Sequence, residues 1–181
     1  MGLFAKIKEA FSAQRYIFKT LADMDHRNAA YASMTLAELE ALTDNDLISA
    51  ALYRTDKKLD ALLGKKKKGS PVEWSEYLSG APRTAYILSY FESDMQTGGL
   101  EYFFRRNGGF APLISDCLKG INAQDHLALY NDFFSTYGQN LHHIALIEYH
   151  EEITLFDQAY AQLPPMEPIL APYLRAHLSE F

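Results

Sequence analysis

The chain has 181 residues, 48% of them hydrophobic and 22% charged, with a formal net charge of −6. That is enough chain for one domain with a full core, and too apolar a composition for a disordered protein. The lone Cys117 excludes an intrachain disulfide, and neither a run of 18 apolar residues nor a signal-peptide core occurs, which predicts a cytoplasmic protein.

Apolar residues recur at helical spacing along almost the whole sequence, and no stretch alternates as a half-buried strand would. Leu3, Phe4, Ile7, Phe11, Ile17, Phe18 and Leu21 predict an amphipathic helix over about 3–22, within an N-terminal extension spanning 1–30. Thr35 followed by Glu38 has the form of a capping box. Thr43 and Asp44 cap a second helix that carries Leu47, Ile48, Ala51, Leu52, Leu59, Leu62 and Leu63 and stops at Gly64. Lys65–Lys68 repel one another and, followed by Gly-Ser-Pro, predict an exposed loop.

Pro82 fits the first turn of a helix bearing Ala85, Leu88, Phe91 and Met95 and ended by Gly98 and Gly99. Pro112 opens a helix with Leu113, Ile114, Cys117 and Leu118, in which the thiol reads as buried rather than nucleophilic. Asp125 caps a helix carrying Leu129, Tyr130, Phe133 and Phe134. Residues 140–152 are expected to be helical, Leu155, Phe156 and Tyr160 predict a helix stopped by Pro164-Pro165, and a last helix covers about 167–179. The predicted fold is all-α, a single multi-helix domain over 31–181 with the N-terminal helix appended.

One cassette stands out from this pattern. Between Phe91 and Phe110, two glycine pairs flank Glu101, Tyr102, Phe103, Phe104, Arg105, Arg106 and Asn107. Gly98 is expected to take a left-handed conformation closing the preceding helix, and Gly99 to admit a second backbone. The rings then fix a short helix in the core, and Asn107-Gly108 makes the next turn. An alternative is a binding surface that includes Glu101, Arg105 and Asn107.

The run Gly98-Gly99-Leu100-Glu101-Tyr102-Phe103-Phe104, with Asn107 and Gly108 behind it, resembles the signature of a bacterial DNA-mimic-protein-like family. Gly120-Ile121-Asn122-Ala123 and Leu155-Phe156-Asp157 with Tyr160 are further similar segments, so the resemblance covers roughly 35–181. Thr97 departs from it, standing where the family usually shows Asn. The resemblance implies an all-helical fold, a homodimer, no catalytic residues, and, from one relative, occupation of a transcription factor's DNA-binding surface.

Charge distribution bears on that role. Residues 1–106 hold 15 of the 17 Lys and Arg, whereas residues 107–181 hold only Lys119 and Arg175 against nine acids. Glu148, Glu151 and Glu152, three or four residues apart on a helix, share a face, and Asp157 follows nearby. These four residues form the candidate acidic interaction surface for a protein partner, basic or DNA-binding, with no direct contact to nucleic acid or membrane. Three readings follow: a protein-interaction module that inhibits or neutralises its partner, a DNA mimic, and a hydrolase with an unrecognised site.

Catalytic and metal motifs are absent from the sequence. The segment HHIALIEYHEE (142–152) spaces its histidines by seven or eight residues, too far along a helix for one ion, and contains no HExxH. GxSxG, GxGxxG and GxxxxGK[ST] do not occur. No cofactor, no metal and no catalytic residue are therefore assigned.

Overall fold

In the computed structural model, which describes residues 27–64, 68–138 and 148–181, the regular elements are all helices and no strand occurs among the described residues. The expected all-α fold is what the chain adopts. After a helical stretch over 27–33 come α1 (Leu36–Glu40), α2 (Asp44–Leu63), α3 (Pro71–Ser75), α4 (Gly80–Asn107), α5 (Ala111–Gly120), α6 (Gln124–Tyr137), α7 (His150–Tyr160) and α8 (Glu167–Ala176). Short 3-10 turns cover Gly108–Phe110 and Leu178–Glu180. No helix of the described residues is long and apolar enough to cross a membrane. The expected helix over 3–22, the lysines 65–67 and residues 139–147 lie outside the described residues.

Local chemistry accounts for the first elements. The Thr35 hydroxyl accepts the Glu38 amide at 3.3 Å while the Glu38 carboxylate accepts the Thr35 amide at 2.7 Å, a reciprocal cap that starts α1. Thr43 caps α2 through the Asp46 amide at 3.3 Å, and Gly64, at φ 79°, ends it. Leu47, Ala50, Ala51, Thr55 and Leu59 lie on one face of α2 and are buried where it packs on α4 and α8. Arg175 ties α8 back to the α1–α2 loop, pairing with Asp44 at 2.7 Å and donating to the Leu42 carbonyl at 2.8 Å.

The 28-residue α4 is the central element and touches α2, α3, α5, α7 and α8. It is two limbs, because Gly98 and Gly99 interrupt the helical backbone and the chain then resumes helix at once. The glycines break the helix as expected, but the positive-φ conformation falls on the second of them. Gly98 is extended at φ −163°, and it is Gly99, at φ 73° and ψ −164°, that takes the positive-φ conformation. Phe91 of the first limb then meets Phe103 of the second at 5.0 Å, Tyr130 of α6 at 5.7 Å and Tyr160 of α7 at 5.8 Å, all edge to face. One ring thus joins four segments.

One further expectation is corrected. Asp125 does not cap α6: Ala123 holds that position, and Asp125 sits in the first turn, where its charge meets the positive helix end. Of the predicted 140–152 helix, residues 140–147 lie outside the described residues, and His150, Glu151 and Glu152 are helical as the first turn of α7.

Candidate functional site

The double-glycine corner is held by a residue distant in sequence. Asp157, on α7, accepts the Leu100 amide on Oδ1 at 2.9 Å, capping the second limb of α4. A Cβ placed on Gly99 would lie 2.2 Å from Asp157 Oδ2, so the close approach of the carboxylate and the backbone angles both require glycine there. Burial pushes the Asp157 carboxyl above its ordinary range; the Leu100 amide opposes that shift and the charge of Glu101 adds to it. Among the residues expected to form an acidic surface, Asp157 therefore faces the corner, while Glu148 and Glu151 stand exposed and Glu152 is half-buried.

The start of α4 repeats the device. Gly80, at φ 58°, adjoins Glu180, whose Oε2 accepts the Ala81 amide at 2.8 Å. A Cβ on Gly80 would lie 2.1 Å from that oxygen. Each limb of α4 thus begins at a positive-φ glycine against a carboxylate from the C-terminal part of the chain.

The rest of the cassette divides between core and surface. Phe103 is fully buried and Phe104 half-buried beside it. Asn107 is buried and donates to the buried Asp94 carboxylate at 2.6 Å, tying the end of the second limb to the first. That places Asn107 inside the protein and removes it from any surface with Glu101 and Arg105. Arg105 pairs with Glu101 at 2.6 Å, and Arg106 bonds the Tyr102 hydroxyl at 2.5 Å, both on the exposed side. Gly108 opens the 3-10 turn at φ −56°, a conformation open to any residue.

Beside the corner, α4, α6, α7 and the Pro164-Pro165 turn enclose a pocket of about 450 Å³. Its polar groups are Glu92, Gln96, His126, Asp157 and Tyr160, set against apolar walls that include Met95 and Pro165. Glu92 is held from two sides, by the Tyr160 hydroxyl at 2.5 Å and by Gln96 at 2.9 Å. His126 is 3% exposed, its Nδ1 has no hydrogen-bond partner, and burial holds its imidazole below the ordinary range. Of this constellation the sequence pointed to Asp157 alone as a candidate site residue, within an acidic surface, and to Tyr160 only as a position on a helix. The one signal for the rest was a histidine on the apolar face of α6.

On the far side of α6 and α7 the chain is acidic. No Lys or Arg occurs between Lys119 and Arg175, and Arg175 is paired with Asp44. Asp125 and Asp132 on α6 and Glu148 and Glu151 by α7 are exposed. Asp132 and Glu152 flank a shallow groove of about 230 Å³ floored by Phe133 and Phe156, and Leu155 at its edge is 64% exposed.

The other chemistry raised by the sequence is not assembled. Among the described residues no group of three His, Cys, Asp or Glu side chains is placed to hold a metal ion. His142 and His143 lie outside the described residues, and His150 is an exposed first residue of α7. Cys117 is buried, and burial raises its thiol to about 11, so it is not an activated nucleophile.

Compared with known proteins, residues 76–177 match the model of the family described as DMP19-like protein. The match spans α4 to α8 and leaves out α1, α2 and α3, beginning well after the residue 35 at which the resemblance was expected to start. No curated protein and no solved structure matches the chain.

Proposed function

The chain belongs to the DMP19-like protein family, and from that premise we propose that it is a non-catalytic binding protein whose partner is itself a DNA-binding protein. The contact surface is the acidic face of α6 and α7, with Asp125, Asp132, Glu148, Glu151 and Glu152. The observation that carries this reading is the stretch of chain between Lys119 and Arg175, which has no Lys or Arg and carries four exposed carboxylates, Asp125, Asp132, Glu148 and Glu151, on α6 and at the start of α7. Such a surface attracts basic proteins and repels nucleic acid. Inhibition of the partner follows if these carboxylates stand where DNA phosphates would, which is the DNA-mimic form of the reading.

Charge reversal tests it. The chain and the triple variant Glu148→Lys, Glu151→Lys, Glu152→Lys are each immobilised and challenged with host proteins that bind heparin. Retention by the wild type, lost in the variant and weakened steeply between about 50 and about 200 mM salt, is expected. Equal retention by the two, with unchanged helix content, would reject this surface.

A further inference from the structure

We propose that the pocket beside the double-glycine corner binds an alkylguanidinium group, with the charged head between Glu92 and Asp157 and the aliphatic stem along Met95 and Pro165. The ionisable side chains Glu92, His126 and Asp157 that line it have acceptor capacity left open. Asp157 gives one oxygen to the Leu100 amide, which leaves Oδ2, the atom closest to Gly99, available. Glu92 takes the Tyr160 hydroxyl and Gln96, and a carboxylate has about four lone-pair sites, so it accepts further donors. His126 lines the same pocket with an unpartnered Nδ1, and its neutral ring offers that nitrogen as a third acceptor.

Two carboxylates in a half-dry pocket call for a counter-charge, and among the described residues no lysine or arginine lines it. The shape of the counter-charge follows from the spacing. Glu92, His126 and Asp157 are too dispersed to close on a single metal ion. A compact ammonium has the same difficulty, whereas a guanidinium spreads five donors over a planar fork and meets separated acceptors together. Its three-carbon stem suits the apolar wall. The group is either a free small molecule or an arginine side chain presented by another protein. The assignment stands apart from the partner proposed for the acidic face, whose carboxylates do not line this pocket.

Titration of the full-length protein followed by amide NMR tests this, with n-butylguanidinium, n-butylammonium and the blocked peptide acetyl-Ala-Arg-Ala-amide as probes. Saturable shifts at the Gly99 and Leu100 amides with n-butylguanidinium are expected. Asp157→Asn keeps an oxygen for the Leu100 amide and Glu92→Gln keeps one for the Tyr160 hydroxyl while giving up the bond from Gln96, and each should weaken binding roughly tenfold or more. Equal binding of free cation and peptide identifies a small-molecule site, and clearly tighter binding of the peptide identifies a protein side chain. No saturable shift with either guanidinium probe would overturn the proposal, as would butylammonium binding as tightly or undiminished binding to both variants. The triple lysine variant of the acidic face should bind n-butylguanidinium as the wild type does, so failure of one site is read separately from failure of the other.

Discussion

Asp157 accepts the amide of Leu100 at 2.9 Å across 57 residues of sequence, and with that one bond α7 caps a helix limb it does not belong to. The cassette is shaped by this contact. Gly99 is glycine because the carboxylate occupies the space of a Cβ, and because ψ −164° at positive φ is a region that other residues scarcely populate.

Removing the carboxylate should therefore resemble removing a helix cap. Asp157→Ala is expected to cost about 1 kcal/mol in urea denaturation, and Asp157→Asn much less, because the amide oxygen still faces Leu100. Gly99→Ala should cost about 3 kcal/mol, adding backbone strain to the clash. An alanine at 99 without effect would show that the corner is not held as described.

The same reasoning extends to the chain's end. Glu180→Ala, or deletion of Glu180 and Phe181, leaves the Ala81 amide without its carboxylate and is expected to cost about 1 kcal/mol. Glu180→Gln should be close to wild type in the same melts.

Asn107 and Asp94 form a buried pair at 2.6 Å. Asn107→Ala leaves a carboxylate buried without its amide partner and should cost about 2–3 kcal/mol. Asn107→Asp places two carboxyl groups together and should be worse at neutral pH, recovering in acid as one of them takes up a proton. Denaturation of both variants at two pH values checks the order.

Two pocket groups couple folding to pH in opposite senses. The Asp157 carboxyl titrates higher in the folded chain than its ordinary 3.8, so the folded state favours its protonated form. Its contribution is complete below that value and is lost as pH rises through the raised one. His126 titrates below its ordinary 6.5, so its contribution is present above that value and is lost as pH falls through the lowered one. Wild type should lose stability relative to His126→Gln as pH falls below the ordinary 6.5 of the imidazole, and Asp157→Asn should lack the carboxyl step, which begins as pH rises above 3.8.

What was legible in the sequence is what short spacing decides. The Thr35–Glu38 box, the Thr43 cap and the Gly64 stop are contacts within four residues, and the structure has each of them. The all-α fold followed from periodicity. Which of two adjacent glycines takes positive φ was not legible, because Asp157 decides it from another helix. Asp125 looked like a cap because its residue type suits one, but Ala123 closes the turn after Gly120 and starts α6 two residues earlier. The pocket was invisible for the same reason as the corner: Glu92, His126 and Asp157 come from three helices and share no local motif. Asp157 looked like one more surface acid beside Glu151 and Glu152 until α7 was placed against α4.

The functional account rests on the acidic face of α6 and α7 occupying a surface that DNA would otherwise fill, and competition measures this most directly. A DNA-binding protein retained by the chain is titrated with its duplex DNA while both complexes are followed. The account predicts mutually exclusive binding, with DNA displacing the chain in proportion to its own affinity. A ternary complex at saturating concentrations of both would contradict it.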